Sequence, residues 1–289
     1  MENSYVLYHE QIIKSGSIPV DPEDRGYLFG DGIYEVVFVY DSKPFAFNEH
    51  FDRFEQSAKK LELAMPYDIA TFKHLTEELI TKNNIVNGMV YIQMTRGVAP
   101  RNHLYERNMQ SVVTGFAKSV SLDSIEKSQS NGIQTYLTED IRWLRCDIKS
   151  LNLLGNVMAK RKAADLDCQE AIQHRDGTVT EGSSSNVFIV KNGTLKTHPA
   201  TNLILNGITR QIVLKLAEKL HIPVLEESFT VDELSEADEV FITSTTMEVT
   251  PVVQLKGKKE QTYKIGPVTA ELQKQFKTQI QQNTSAMKS

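Results

Sequence analysis

Residues 118–131 divide this chain. Lys118-Ser119-Val120-Ser121-Leu122-Asp123-Ser124 and Ser128-Gln129-Ser130-Asn131-Gly132 are polar and serine-rich, and both flanks carry regular apolar patterning. A polar break of this kind reads as a domain boundary. A chain of 289 residues is therefore expected to fold as two domains, 1–118 and 132–289, joined by a linker at 119–131. The first half alternates strand and helix signals, and the second is strand-rich with two clear helices. The expectation is an α+β protein, with a smaller N-terminal α/β domain and a larger strand-rich C-terminal domain.

Local signals fill in that outline. Tyr34-Glu35-Val36-Val37-Phe38-Val39-Tyr40 is rich in β-branched and aromatic residues. Asp41-Ser42-Lys43-Pro44 turns the chain and Phe45-Ala46-Phe47 returns it, which predicts a hairpin. Asn48 is the expected cap of a helix in which Phe51, Phe54, Ala58 and Leu61 recur at helical spacing. A second helix is expected over 69–83, with strands over 89–95 and 111–117. Beyond the divide, helices are expected over 152–165 and 209–220. Asn192-Gly193 marks a hairpin between Asn186–Val190 and Leu195–His198. Glu239–Ser244 reads as a buried strand, and the tail from Gln273, polar and rich in Gln and Lys, is expected to fray after its last helix.

Bulk properties exclude several classes. With 40% hydrophobic and 24% charged residues the chain has the composition of a globular protein with a substantial core. Its net charge of −5 gives no general attraction to nucleic acid or anionic membrane. Cys146 and Cys168 are the only cysteines, too few for a disulfide framework and in no metal-binding spacing. No apolar run approaches the roughly 20 residues that cross a bilayer, and the N-terminus lacks a signal-peptide pattern. The expected location is the cytoplasm. No zinc pattern, Walker loop, nucleophile elbow or GxGxxG fingerprint occurs.

Five places could carry chemistry. Lys149 follows the apolar and aromatic stretch Trp143–Ile148 and precedes a helix signal. Its amine could form an imine with an aldehyde, although most lysines are solvated surface. Glu181, in Glu181-Gly182-Ser183-Ser184-Ser185-Asn186, could hold a pyridine nitrogen protonated; the serines could equally be loop material. Arg53 gains nothing from the helix dipole near an N-terminus. It reads either as a partner of Glu49 or Asp52 or as an anion ligand. Gly207-Ile208-Thr209 opens a helix whose free N–H groups could bind phosphate, and the hydroxyls of Ser244 and Thr245 end a strand. Arg101 and His103 lie two apart in a loop and could grip a carboxylate, or form a solvated basic loop.

Taken together, Asp24–Glu35, Asn48–Arg53, Arg101-Asn102-His103, Asp140–Asn152 and Glu181–Asn186 resemble the fold-type IV pyridoxal-phosphate enzymes, and within them the D-amino-acid aminotransferase branch. The resemblance runs from about residue 5 to residue 280. It implies a barrel-like sheet in the larger domain and pyridoxal 5'-phosphate as cofactor. It makes Lys149 the Schiff-base lysine and proton shuttle, and Glu181 the partner of the ring nitrogen. Arg53 would bind the phosphate, with the Ile208 and Thr209 N–H groups and the Ser244 and Thr245 hydroxyls. Leu205 would support the ring. Tyr34, Arg101 and His103 would hold the substrate carboxylate, the last two supplied by a partner subunit, hence a homodimer with shared sites and no metal. The implied reaction is reversible amino transfer between D-alanine and 2-oxoglutarate, giving pyruvate and D-glutamate. An L-branched-chain aminotransferase, a lyase acting on aminodeoxychorismate and a non-catalytic cofactor-binding protein are the alternatives. The Arg101-x-His103 pair argues against the first, and retention of Lys149 and Glu181 against the last.

Overall fold

The computed structural model describes residues 4–16, 18 and 20–286. The chain forms two compact units. Unit 1 holds the described residues up to Ser121 together with Ile148–Asn152; unit 2 holds Leu122–Asp147 and the described residues from Leu153 onward.

Unit 1 contains, in order, β1 (Tyr5–Tyr8), β2 (Gln11–Lys14), α1 (Arg25–Phe29), β3 (Gly32–Tyr40), β4 (Lys43–Pro44), α2 (Phe47–Lys60), α3 (Ile69–Lys82), β5 (Gly88–Thr95) and β6 (Val112–Ser119). Its six strands form one antiparallel sheet in the order β2-β1-β6-β5-β3-β4. Alternate residues of β3 serve different faces. Ile33, Val37 and Val39 enter the core beneath α2 and α3, whereas Tyr34 and Val36 stay half-buried on the other face. Phe47, Phe51, Phe54 and Phe72 interlock in that core, with neighbouring ring centres 4.3–5.5 Å apart. Phe51 and Phe54 are fully buried, each contributing on the order of 1.5–3 kcal/mol by removal from water.

Two expectations fail at the start of α2. Asp41 and Ser42 both adopt positive φ, a hairpin turn, but the returning strand is only Lys43–Pro44. The helix begins at Phe47 after Ala46, itself at φ 52°, and no side chain caps it. Asn48 therefore lies inside the helix. Burial of Phe47 and Phe51 fixes the entry of the chain in place of a polar cap.

Unit 2 contains α4 (Leu122–Asn131), β7 (Ile133–Glu139), α5 (Leu154–Ala164), β8 (Glu170–Arg175), β9 (Thr178–Gly182), β10 (Asn186–Lys191), β11 (Thr194–Thr197), α6 (Ile208–Lys219), β12 (Val224–Glu226), α7 (Val231–Ser235), β13 (Glu239–Ser244), β14 (Glu248–Lys256), β15 (Gln261–Thr262) and α8 (Pro267–Ala286). The main sheet runs β12-β11-β10-β13-β14-β7-β8-β9, with β15 added to β14. It curls into a half-barrel, so that β9, at one end of this order, comes back beside β10. The Asn192-Gly193 turn joins β10 and β11 in the expected hairpin, with Lys191 opposite Thr194.

Much of the serine-rich stretch expected as a linker is helix. In α4, Ile125 and Gln129 lie four residues apart and are buried, and Gln129 Nε2 donates to Glu248 Oε2 at 2.8 Å. Ser128 satisfies its hydroxyl on the Ser124 carbonyl. The polar tail is carried by α8 through Ala286, with Leu272 and Phe276 buried on it, and the fraying expected after the last helix falls outside the described residues. No helix among the described residues is long and apolar enough to cross a membrane.

Candidate active site

Lys149 does not directly precede a helix, as its sequence context had implied. It lies in the segment Ile148–Asn152, irregular but for an isolated bridge between Ser150 and Ile33, and α5 starts only at Leu154. The segment pairs with the start of β3: the Tyr34 N–H donates to the Lys149 carbonyl at 3.0 Å, and the Leu151 N–H to the Gly32 carbonyl at 3.0 Å. β4 reaches only the far end of β3, Val39–Tyr40, so this edge is open. Ile148 anchors the segment in the unit 1 core. The Lys149 N–H reaches Ser57 Oγ of α2 at 3.3 Å, and its Nζ lies 4.2 Å from the centre of the Tyr34 ring. Among the described residues Lys149 Nζ makes no ion pair.

On the opposite face of β3, Glu35 is almost fully buried and takes donors from two α2 residues three apart. His50 Nδ1 lies 2.8 Å from its Oε2, while Arg53 Nε and Nη2 reach Oε1 and Oε2 at 2.7 and 2.8 Å. Arg53 thus pairs with Glu35. Burial raises the Glu35 carboxyl, but Arg53 and then His50 outweigh it and hold it well below the usual carboxylate range. Burial pushes His50 down, so it is the neutral donor of the pair. Sequence reading missed both residues. The signals were a lone carboxylate within an apolar strand and a His-x-x-Arg spacing on one helix face.

Tyr34 belongs to an aromatic row. Its ring stacks on Tyr91 at 5.5 Å, and Tyr91 stacks on Phe116 at 5.1 Å. The Tyr91 hydroxyl donates to Gln93 Oε1 at 2.9 Å. In the loop after β5, Arg101 and His103 converge on one ring. The Arg101 guanidinium lies 5.2 Å, and the His103 ring 5.6 Å, from the centre of Phe29. Both side chains are exposed.

In unit 2, Glu181 is a buried residue of β9 surrounded by donors. Arg142 Nη1 reaches its Oε1, while Asn186 Nδ2 and the Leu205 N–H each donate to Oε2 at 3.0 Å. Burial pushes the Glu181 carboxyl up, and Arg142 and the Leu205 N–H pull against it. Arg142 is itself bound twice by Asp140, from Nε at 2.9 Å and Nη2 at 2.8 Å. Burial would raise Asp140, but Arg142 and Arg175 hold it at about 2. The buried chain Asp140–Arg142–Glu181 thus sets one guanidinium between two carboxyl groups. Arg142 and Asn186 were not read as site residues, because their partners lie 39 and 5 positions away on other elements.

Asn186 also ties Glu181 to α6. It donates to the Leu205 carbonyl at 2.8 Å. Its Oδ1 stands 2.3 Å from where a Cβ on Gly207 would be, so any larger residue at the N-cap of α6 must displace the Asn186 side chain. No side chain caps α6, which leaves the first-turn N–H groups of Ile208 and Thr209 for an anion. Ser244 closes β13, its Oγ accepting from the Met247 N–H at 3.1 Å, and Thr245 follows half-buried.

The three serines after Glu181 have a structural task. Glu170, fully buried on β8, accepts from the Ser183 N–H at 3.1 Å, from the Ser183 hydroxyl, and from the Ser184 and Ser185 hydroxyls at 3.0 and 3.3 Å.

Taken separately, each unit carries groups that suit a pyridoxal phosphate. Unit 1 offers the Lys149 amine, which makes no ion pair among the described residues; unit 2 offers Glu181, bonded by Arg142, Asn186 and the Leu205 N–H, and the start of α6, which no N-cap side chain closes. The profile of the family described as Amino-transferase class IV matches residues 32–255. The D-alanine aminotransferase of Staphylococcus haemolyticus is 49% identical over 283 residues, covering 97% of this chain and 99% of that protein. Among solved structures, the branched-chain amino acid aminotransferase of Escherichia coli superposes with TM-score 0.89 at 26% identity, over 96% of this chain and 94% of that one. The 4-amino-4-deoxychorismate lyase of Pseudomonas aeruginosa does so with TM-score 0.82 at 23% identity, over 94% and 98%. Transaminases and a lyase share this architecture, so the fold alone does not choose the reaction.

Proposed function

Because this chain belongs to the class IV aminotransferases, we propose that it transfers the amino group of D-alanine to 2-oxoglutarate, giving pyruvate and D-glutamate, with Lys149 as its catalytic residue. It is a pyridoxal-phosphate aminotransferase. The observation that carries the D-alanine reading is the convergence of Arg101 and His103 on Phe29. A guanidinium beside an imidazole makes a trap for a small carboxylate, and the near-full-length relative named for D-alanine supports this choice.

When bound, the cofactor supplies an electron-withdrawing ring that takes up the electron pair left by the departing α-proton. Glu181 would face its ring nitrogen, and Leu205 would lie against the ring while its N–H steadies Glu181. Arg53, the Ile208 and Thr209 N–H groups, and the Ser244 and Thr245 hydroxyls would hold its phosphate. Lys149 Nζ would accept the α-proton of the amino acid and return it. Tyr34, Arg101 and His103 would bind the substrate carboxylate, which fixes the direction of the α C–H bond. The protein would act in the cytoplasm as a homodimer, with Arg101 and His103 given to the site of the partner subunit.

The test offers purified protein, pyridoxal phosphate and 2-oxoglutarate with D-alanine or L-alanine, and resolves the glutamate formed by chiral chromatography. D-glutamate from D-alanine alone is expected. L-glutamate, or no product from either, moves the reaction to the branched-chain or lyase alternative. Pyruvate released without any keto-acid acceptor identifies the lyase.

A further inference from the structure

We propose that Arg25, gripped by Asp31, is a positioning residue that holds the loop carrying Arg101 and His103 in its carboxylate-binding shape. The clamp role of the loop rests on the function proposed above; the positioning itself rests on geometry within unit 1.

Neither Arg101 nor His103 makes a side-chain hydrogen bond among the described residues, so their direction depends on the main chain beneath them. That main chain forms no helix or strand over 99–111, and ordering it carries an entropic cost at every residue. Arg25 supplies the order. It sits on α1, 3% exposed, and its guanidinium serves three acceptors in different directions. Nε donates to Asp31 Oδ2 at 2.8 Å, Nη1 to the Asn102 carbonyl at 2.5 Å and Nη2 to the His103 carbonyl at 3.5 Å. Its own N–H donates to the Gly97 carbonyl at 2.9 Å. The same guanidinium lies 4.8 Å from the centre of Phe29, the ring on which Arg101 and His103 rest.

Asp31 is the fixed point of the arrangement. Its second partner, Arg96, binds it through Nε at 2.8 Å and Nη2 at 3.0 Å and also donates to the Leu61 and Glu62 carbonyls. The Arg96 guanidinium lies 3.7 Å from the centre of the Tyr105 ring, and the Tyr105 hydroxyl donates to Glu62 at 2.7 Å. The loop is thereby held on both sides of Arg101, at Gly97 and at Asn102–Tyr105. A lysine at 25 keeps the charge but, as a single ammonium on a flexible stem, cannot span the same three acceptors.

The experiment compares wild type with Arg25→Lys as full-length protein with cofactor, by hydrogen exchange and steady-state kinetics. Peptides covering 98–107 are expected to exchange roughly 5-fold faster or more, while β3 and β5 exchange unchanged. KM for D-alanine and for 2-oxoglutarate is expected to rise about 10-fold with kcat within about 2-fold. In an Arg101→Ala background, Arg25→Lys should add less than about 2-fold, since the group it positions is gone. Unchanged exchange over 98–107 overturns the proposal, as does a kcat loss at constant KM or an effect that multiplies with that of Arg101→Ala. If β3 and β5 also exchange faster in Arg25→Lys, Asp31→Asn, which removes one charge at constant volume, decides by the same readouts. A protein that does not turn over D-alanine overturns the function above, while the exchange result still decides the positioning.

Discussion

Tyr34 and Lys149 meet through both backbone and side chain. The Tyr34 N–H holds the Lys149 carbonyl at 3.0 Å, and Lys149 Nζ stands 4.2 Å from the centre of the Tyr34 ring. The strand pairing therefore sets where the amine emerges, independently of the amine itself. Lys149→Ala is expected to keep the backbone bond and the fold but removes the amine proposed to carry both the imine and the α-proton. Steady turnover should fall by at least the 10²–10⁴-fold or so typical of a lost proton-transfer group, with circular dichroism unchanged. Near-normal turnover would remove Lys149 from the mechanism.

Arg101→Ala deletes one side of the proposed carboxylate trap without touching the core. A charge-assisted hydrogen bond of about 1.5–3 kcal/mol corresponds to a fall of roughly 10- to 150-fold in kcat/KM, carried mainly by KM. An unchanged value would return Arg101 to the ordinary solvated surface.

Glu181→Gln tests the ring-nitrogen partner. The amide keeps an oxygen for the Leu205 N–H but loses the charge opposite Arg142. The cofactor should remain bound, read from its visible absorbance, while a primary isotope effect with α-deuterated D-alanine should grow as α-proton removal becomes slower. An unaltered rate would mean that another group keeps the nitrogen protonated.

Much of this was legible in advance. Lys149 and Glu181 could be proposed because imine and pyridine chemistry ask for those residue types, and the periodic helices and the Asn-Gly hairpin could be read because local chemistry decides them. Glu35, His50, Arg142 and Asn186 were not visible, since their roles appear only when distant elements meet. The serine-rich stretch misled because serine composition resembles a linker, whereas Ile125 and Gln129, four apart, bury one face of α4. Asn48 misled because apolar burial, not a polar cap, starts α2.

The lowered pKa of His50 sets a pH dependence of stability. The imidazole stays neutral in the fold, while an unfolded chain takes up a proton below its ordinary value of 6.5. The unfolded state then binds more protons, so stability falls as pH drops through that value, by up to about 1.4 kcal/mol per pH unit. Asp140 acts lower. With its carboxyl at about 2 against an ordinary 3.8, its contribution is present above 3.8 and lost as pH falls towards 2. His50→Asn keeps a donor for Glu35 without the titration. Its Tm should vary less than that of wild type between about pH 6.5 and 5; parallel Tm curves would assign the slope to other groups.

Gly207 joins the two ends of the unit 2 site through one asparagine. A Cβ at 207 would meet Asn186 Oδ1 at 2.3 Å, so Gly207→Ala must displace that side chain. Asn186 donates to Glu181 and to the Leu205 carbonyl, and Leu205 donates to Glu181. The displaced amide would loosen the carboxylate while the added methyl crowds the open first turn of α6. Overpacking of this kind costs about 1–3 kcal/mol. Gly207→Ala is therefore expected to lower Tm and to weaken cofactor binding together, measured by thermal scans with and without pyridoxal phosphate. Gly207→Ala combined with Asn186→Ala removes the clash but not the loss of the Glu181 donor. Stability should partly return while cofactor affinity stays low. Recovery of both would show that the clash alone, and not the Asn186 link to Glu181, governs the site.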